Sequence, residues 1–405
     1  MNQGIHVYSE IAPLKKVLLH RPGNELLNLT PDTLGQLLFD DIPFLKQAVK
    51  EHDVFASLLR ENGAQVLYLE DLMSDVLNEG EDVRHDFIKQ YIKEGCADTR
   101  YHASLFKYLS SIKENKQLVL KSMEGINYNE IDSDVEVSLS DLTSDNNHML
   151  IEPMPNLYFT RDPFASIGEG VSLHRMYYET RRRETIYGQY IFSYHKDFKA
   201  VKRYYDRSDP YHIEGGDIIN LSDEVLAIGI SQRTEANAIE FLAKHIFRDP
   251  ESPLRKILVF SIPKNRSFMH LDTVFTQIDY DKFTIHPLIN ASLRVFTLLR
   301  KDDSSFSISQ NEEKLDTILS KALGLSHVAL IACGGNDFIA SQREQWNDGS
   351  NTLCIAPGKI LVYERNEITN QLLESYGIEV LRMPSSELSR GRGGPRCMSM
   401  PIWRE

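Results

Sequence analysis

The feature that most constrains the fold is a unit of strand, loop, helix and strand that recurs along the chain. Near the C-terminus the apolar run 360–363 predicts a strand, 370–376 predicts a helix, and the run 378–381 after Gly377 predicts a second strand. Glycine directly after a helix is a usual helix stop, because it adopts the left-handed conformation without strain. The same order, in whole or in part, is found at 54–69, 226–260 and 315–331.

Four copies of one α/β unit predict repeated modules packed around an axis. The same alternation of strands and helices also arises in a doubly wound sheet. Periodicity alone leaves these two architectures open, although both of them are α/β folds.

The stretch 75–147 differs from the rest of the chain. Runs at 86–92 and 105–109 have helical spacing with few strand signals, and 133–147 is acidic and serine-rich, which predicts a loop. The sequence therefore predicts three regions: 1–74 begins the α/β fold, 75–147 is a helical insertion, and 148–405 completes the fold and carries the site.

Charge and cysteine usage limit the class of protein. The 405 residues include 58 acidic and 45 basic ones, for a formal net charge of −13. A nucleic-acid partner is excluded, because it requires clustered Lys and Arg, whereas a small cationic substrate suits an acidic protein. No signal peptide or membrane span is predicted, and the four cysteines form no Cys-x-x-Cys pair, which is typical of reduced thiols in the cytoplasm.

Two polar clusters lie in turn-forming contexts. In 155–163, Asp162 precedes a proline, so its backbone is extended or in a turn and its carboxylate can face a cavity. In 213–217, Glu214 and Asp217 flank a Gly-Gly pair that can bring the backbone close to a ligand. Taken alone, the first cluster is better explained by an ordinary turn, and the second is explained equally well by a Gly-Gly hairpin turn.

Two further clusters carry groups that suit acid/base and nucleophilic chemistry. In a strand, His270 and Asp272 would project from one face, as an acid/base unit or as an ordinary structural pair. The loop 390–397 is rich in glycine and therefore costly to order, which favours a purpose beyond packing. Its arginines favour the thiolate of Cys397, which makes this cysteine the best candidate nucleophile.

Taken in order, these four clusters resemble the arginine deiminase family, and the resemblance extends from 39–43 to 343–349 and the C-terminal loop. The family belongs to the guanidine-modifying enzymes, which share a five-module α/β propeller with pseudo-fivefold symmetry, and the helical insertion also matches. The resemblance implies hydrolysis of L-arginine to L-citrulline and ammonia through a covalent amidino-cysteine, with no metal and no cofactor.

The resemblance also assigns roles to individual residues. It implies that Cys397 is the nucleophile and His270 the general acid/base, that Asp162 and Asp272 grip the guanidinium, and that Glu214 contacts a guanidinium nitrogen and supports His270. The residues implied to hold the substrate α-carboxylate are Arg181 and Arg233, those completing the pocket are Asn156, Phe159 and Arg392, and the one supporting the site from behind is Asp217.

Other classes of protein remain open on the sequence. An agmatine deiminase, a dimethylarginine hydrolase or an amidinotransferase would reuse the cysteine, the histidine and the carboxylates, but agmatine requires no α-carboxylate clamp. A metal hydrolase could use the same acidic residues and His270 as ligands. A non-catalytic arginine-binding protein on this scaffold is a third class. A homo-oligomer is the expected assembly, with the helical insertion as a contact surface.

Overall fold

The computed structural model describes residues 4–132, 135, 139, 149–264, 268–290, 293–301, 305–335 and 337–405. Its strands are β1 Leu14–Leu19, β2 Gln65–Tyr68, β3 Ile126–Asn127, β4 Met149–Ile151, β5 Phe164–Ile167, β6 Gly170–Leu173, β7 Lys202–Tyr205, β8 Ile218–Asn220, β9 Val225–Ile230, β10 Lys256–Ser261, β11 Phe275–Gln277, β12 Lys282–Ile285, β13 Arg294–Arg300, β14 Phe306–Asn311, β15 Ala329–Ala332, β16 Leu353–Ala356, β17 Lys359–Tyr363, β18 Glu379–Met383 and β19 Met400–Arg404. Its helices are α1 Leu34–Leu37, α2 Leu45–Glu61, α3 Leu69–Leu77, α4 Glu81–Gly95, α5 His102–Ser111, α6 Asn115–Glu124, α7 Glu179–Arg182, α8 Thr185–Tyr194, α9 Ala236–Arg248, α10 Pro287–Asn290, α11 Leu315–Leu323, α12 Phe338–Trp346 and α13 Glu367–Ser375. None of these helices is both long and apolar enough to cross a membrane.

The recurring unit is a three-stranded arrangement with one antiparallel and one parallel pair. In its last copy along the chain, β17 pairs antiparallel with β16 and parallel with β18, and α13 lies between β17 and β18 in the chain. This confirms the predicted unit at 360–381. A parallel pair needs a long crossover, which explains why a helix lies between its strands.

The same arrangement occurs five times within the described part of the chain. The other four copies are β19-β1-β2 with α2, β5-β6-β7 with α8, β8-β9-β10 with α9, and β11-β12-β15 with α11. Strands β13 and β14 extend the third of these sheets to five strands. The fold is mixed α/β, and the sequence revealed four of its five units.

The unit that the sequence did not reveal is β5-β6-β7. Its strands have four residues each, and α8 is buried on nearly all sides, so that its sequence has no clear apolar face. A helix without an amphipathic pattern gives no period to detect.

The helical region begins earlier than predicted. Helix α3 starts at Leu69, directly after the last residue of β2, whereas the sequence placed Leu69 in the strand and the insertion at 75. The helical runs at 86–92 and 105–109 are confirmed as parts of α4 and α5. The predicted loop 133–147 lies outside the described residues, apart from positions 135 and 139.

A buried ion cluster attaches this helical region to the first unit. His20, which follows β1, contacts Glu70 of α3 at 2.8 Å and Glu25 at 3.1 Å through its two ring nitrogens. Burial alone would lower the pKa of His20, but the two carboxylates raise it to about 10, so the imidazole is charged at neutral pH.

The glycine helix stop yields a test of the fold. Gly377 follows α13 with φ +82° and has no atom within 4 Å of an added Cβ, so Gly377→Ala is expected to cost about 1 kcal/mol in backbone strain alone. Gly35, inside exposed α1, also has open space around its Cβ position but no positive φ, so Gly35→Ala is expected to stabilise by roughly 0.5 kcal/mol. Denaturant unfolding measures both, and shifts of the same sign would contradict this explanation.

Candidate active site

The predicted catalytic residues lie at equivalent places in different units. Asp162 precedes β5, Glu214 precedes β8, His270 and Asp272 precede β11, and Cys397 precedes β19. Each of these strands is the antiparallel edge of its unit. All five side chains are buried, and the contacts below bring them together.

His270 and Asp272 do not lie in a strand, as the sequence predicted. Residues Leu271–Thr273 form a 3₁₀ helix, and His270 stands directly before it. Asp217 holds this turn, because its carboxylate accepts a bond from the backbone N–H of Leu271 at 2.8 Å. The turn still brings both side chains to the site, although by a geometry different from strand alternation.

His270 is enclosed by two carboxylates. Its Nε2 lies 2.8 Å from Glu214 Oε2, and its Nδ1 lies 3.9 Å from Asp162 Oδ1. Burial lowers the pKa of His270, but these acidic neighbours outweigh it and raise the pKa to about 9. The imidazole is therefore positively charged at neutral pH and can donate a proton.

The Gly-Gly pair before β8 brings the backbone against this histidine. A Cβ on Gly216 would lie 2.7 Å from the His270 ring, closer than side-chain atoms approach one another. Gly216 therefore allows close packing against His270, and Gly215 allows close packing against the backbone of Arg161. The pair does not form a hairpin turn, since Gly215–Asp217 is a 3₁₀ helix.

Cys397 faces Asp272. The thiol Sγ lies 3.7 Å from Asp272 Oδ2, and the backbone N–H of Cys397 donates to Asn351 Oδ1 at 3.0 Å. The Asn351 side chain also donates to the backbone carbonyl of Asp272 at 3.1 Å, so one amide fixes both residues. The sequence did not predict Asn351, yet it precedes β16 in the remaining unit, at the place that the other site residues occupy in theirs.

Each of the two aspartates has one oxygen held by a buried arginine and one oxygen that accepts no hydrogen bond from the described residues. Arg181 donates to Asp162 Oδ2 at 2.7 Å, and Arg396 donates to Asp272 Oδ2 at 2.8 Å. Both Oδ1 atoms are buried without a hydrogen-bond partner among the described residues. Buried acceptors are rarely left unpaired, so these two oxygens are places for the donors of a ligand.

A second acidic residue compensates Arg396. The two oxygens of Glu10 accept from Arg396 Nε at 2.8 Å and Nη2 at 3.2 Å, and the pKa of Glu10 falls to about 2 because Arg396 and Arg161 outweigh the effect of burial. Sequence reasoning missed Glu10, since a contact between residues so far apart in the chain leaves no local pattern.

The two arginines predicted to bind a substrate carboxylate are tied to acidic residues of the site. Arg181 is held by Glu184 as well as by Asp162. Arg233 lies 3.3 Å from Glu214 Oε2, and its guanidinium stacks 4.4 Å from the ring centre of Tyr178. Both side chains are therefore held in place by these contacts, and Arg233 Nη2 also donates to Met269 Sδ at 3.7 Å.

The other three residues predicted to complete the pocket lie in different environments. Asn156 donates to the carbonyl of Leu37 at 2.8 Å, and Phe159 is buried in the same apolar cluster as Cys397. Arg392 instead lines an open cleft of about 610 Å³, where its guanidinium stacks 3.5 Å from the ring centre of Trp346. None of the residues predicted to be catalytic lines this cleft, and all five of them are buried.

The acidic residues could also hold a metal ion. Asp162, Glu214 and His270 each offer a ligand atom, and these atoms lie within 4.8 Å of one another. Arg181 and Arg233 already bind the two carboxylates, and their positive charges oppose a divalent cation at this place.

Electrostatics disfavour the thiolate of Cys397 in the free site. Burial raises its pKa well above the ordinary value, and Asp272, Asp162 and Asp348 raise it further, whereas Arg396 lowers it by less. Asp348 is a second residue that the sequence did not reveal; it has a positive φ of 58° and one buried oxygen without a partner among the described residues.

Two solved structures of amidinotransferases are similar in fold to this chain. An amidinotransferase from Microseira wollei is 13% identical, with a TM-score of 0.57 over 99% of this chain and 97% of its own. The inosamine-phosphate amidinotransferase of Streptomyces griseus is 14% identical, with a TM-score of 0.52 over 100% of this chain and 97% of its own. The mixed α/β fold of this chain is therefore similar to the fold of these two amidinotransferases.

Sequence comparison identifies the family to which the chain belongs. The arginine deiminase of Treponema denticola is 57% identical over 404 residues, which are 99% of this chain and 98% of that protein. The family model described as arginine deiminase matches residues 35–404. The chain belongs to the arginine deiminase family.

The position of Cys397 predicts a protonated thiol in the free protein. Alkylation of its peptide by iodoacetamide, followed by mass spectrometry, is expected to have its pH midpoint above the ordinary thiol value of ~8.5. Asp272→Asn removes a negative charge beside Sγ, so its midpoint is expected at lower pH than that of the unaltered protein. Alkylation already complete at pH ~6, or an upward shift in the variant, would contradict this interpretation.

Proposed function

We propose that the chain hydrolyses free L-arginine to L-citrulline and ammonia through a covalent intermediate on Cys397. One observation carries the proposal: two buried carboxylate oxygens that accept no hydrogen bond from any described residue lie in a site that also holds a buried thiol and a charged imidazole. A guanidinium ion is a planar donor of several N–H bonds, which is the chemistry that these oxygens require. Family membership supports the same substrate.

The two aspartates fix the plane of the guanidinium. Asp162 Oδ1 and Asp272 Oδ1 each accept N–H bonds from the substrate, while Arg181 and Arg396 hold the other oxygens in position. A fixed plane allows Sγ of Cys397 to approach the central carbon from above it. Sγ is already 3.7 Å from Asp272, so the thiol and the bound carbon are neighbours.

The substrate itself makes the thiol reactive. Its positive charge offsets the two aspartates that raise the pKa of Cys397, so the thiolate forms when arginine binds. The thiol proton passes to solvent, because His270 is already protonated. At roughly 4 Å and an effective dielectric constant of about 20, one charge contributes about 4 kcal/mol, equivalent to a few pKa units before screening. Nucleophile and substrate are thus activated together.

The first half of the reaction transfers the amidino carbon to sulfur. The thiolate attacks the central carbon, a C–S bond forms, and the carbon becomes tetrahedral. His270, charged because its pKa is about 9, gives its proton to the leaving nitrogen, and the C–N bond breaks to release ammonia. Glu214 holds the ring through Nε2 during this transfer.

The second half is hydrolysis of the amidino-cysteine. His270, now neutral, takes a proton from water, and the resulting hydroxide adds to the same carbon. The C–S bond then breaks, the carbonyl of citrulline forms with loss of the hydroxyl proton to solvent, the thiolate of Cys397 is restored, and citrulline leaves. The positive charge of the intermediate makes the carbon electrophilic, so neither step requires a metal or a cofactor.

We assign specificity for the α-carboxylate to Arg181 and Arg233. The proposal is supported by the donors that remain on both guanidinium groups after their contacts with Glu184, Asp162 and Glu214. Asn156 and Phe159 would line the aliphatic part of the substrate, and Arg392 would close the site from the cleft.

The finer architecture and the assembly also belong to this proposal. We infer that the five units are arranged as a five-module propeller about a pseudo-fivefold axis, since their equivalent segments contribute residues to one site. A cytoplasmic location and a homo-oligomer are proposed with it, and analytical ultracentrifugation tests the latter.

Two other functions are distinguished by simple assays. A metal hydrolase at Asp162, Glu214 and His270 would lose activity with a chelator, which the cysteine mechanism would not. An agmatine deiminase would release ammonia from agmatine more readily than from arginine.

Covalent catalysis predicts an adduct on one cysteine. Enzyme quenched during arginine turnover is expected to carry an amidino group on the peptide containing Cys397, and Cys397→Ala should abolish turnover. Cys354→Ala is the matched control, because that thiol is also buried but belongs to a different apolar cluster. An adduct on Cys333 or Cys354, or near-normal turnover by Cys397→Ala, would refute the mechanism.

The carboxylate clamp predicts a loss that depends on the substrate. A bond to a charged group contributes roughly 1.5–3 kcal/mol, so Arg233→Ala should lower kcat/KM for arginine about tenfold to a hundredfold. Agmatine, which lacks the carboxylate, should lose less. Arg382→Ala, which removes only a surface pair with Glu374, is the control. Equal losses on both compounds would contradict the clamp.

A further inference from the structure

Glu184 is a buried acidic residue to which the mechanism above gives no part. Its side chain is 1% exposed. Arg181 Nε lies 3.0 and 3.1 Å from the two oxygens of Glu184, and Arg181 Nη2 lies 2.9 Å from Oε2. This is the side-on, two-nitrogen pairing that fixes both the position and the rotation of a guanidinium.

The donors of Arg181 can be counted. A guanidinium has five N–H groups, one on Nε and two on each terminal nitrogen. One N–H of Nε and one of Nη2 are directed to Glu184, and one of Nη1 to Asp162 at 2.7 Å. One N–H on each terminal nitrogen therefore remains, enough for a carboxylate of a ligand while both existing contacts are kept.

We propose that Glu184 is a positioning residue that determines affinity for arginine, by orienting Arg181 so that one guanidinium serves both Asp162 and the substrate α-carboxylate. This inference rests on the proposed function. It names the residue that links binding of the substrate α-carboxylate to binding of the substrate guanidinium. Arg181 would connect the carboxylate end of the substrate to the aspartate that grips the guanidinium end.

The geometry also explains what the charge of Glu184 contributes. Burial raises the pKa of Glu184 to about 7 against the opposing effect of Arg181, so the charged form prevails above that pH. Arg181 resembles the substrate, since it too presents a guanidinium to Asp162. With two anionic partners, Arg181 uses a single nitrogen on Asp162 and leaves Asp162 Oδ1 open. Without the charge of Glu184, its positive charge is balanced by Asp162 and Glu214 alone, and it can turn to bind both oxygens of Asp162. An internal guanidinium then competes with the substrate.

The test is a double-mutant cycle of Glu184→Gln and Arg181→Ala, measured by citrulline formation. Glu184→Gln keeps the size of the side chain and one acceptor but removes its charge. It should raise KM for arginine about tenfold or more, as expected for a bond to a charged group, with a smaller change in kcat. In the Arg181→Ala background, the same substitution should change KM by less than about twofold. The inhibition constant of agmatine should rise less than KM for arginine, because agmatine has no carboxylate to lose.

Glu70→Gln is the matched control. Glu70 is a buried acidic residue that contacts His20 outside the predicted active site. Its substitution therefore tests whether the loss of any buried charge raises KM. Three results would each overturn the inference. They are an unchanged KM in Glu184→Gln, independent effects of the two substitutions that multiply in the KM of the double variant, and an equal rise of KM in Glu70→Gln. An unaltered protein that makes no citrulline would instead refute the proposed function itself.

Discussion

The site depends on the repulsion between two buried aspartates and a buried thiol. Neither carboxylate could stay charged out of water alone, so each is backed by an arginine and each arginine by a glutamate. Two series of ion pairs with alternating charge end in the site: Glu184–Arg181–Asp162 and Glu10–Arg396–Asp272. Each series holds one negative carboxylate oxygen in place before any ligand binds, which is the preorganisation that electrostatic catalysis requires.

Much of the fold was predictable because its units combine amphipathic helices with short buried strands. Helix α2 and helix α13 were found from their spacing and the glycines after them. The β5-β6-β7 unit was not found, because α8 is buried nearly all round. Recognising equivalent places before the first strand of each unit would have pointed to Asn351 and Asp348, which precede β16.

The residues proposed to act directly were easier to find in the sequence than the residues that hold them in place. Cys397, His270 and the carboxylates stand in local motifs, whereas Glu10 reaches Arg396 across 386 positions and leaves no pattern in the sequence. The turn at Leu271–Thr273 was mistaken for a strand, since a three-residue 3₁₀ helix is too short to have a detectable period. The contact of Arg181 with Asp162 could not be inferred from a family role, because a resemblance names functions and not partners.

The high pKa of the Cys397 thiol has a consequence for the resistance of the protein to oxidation. Peroxide attacks thiolates far faster than thiols, and oxidation beyond the sulfenic acid is irreversible for most cysteines. A sulfur that stays protonated until a guanidinium arrives is shielded from oxidants whenever arginine is scarce. In the proposed mechanism, the two carboxylates that make the nucleophile dependent on its substrate would also protect it from oxidation while no substrate is bound.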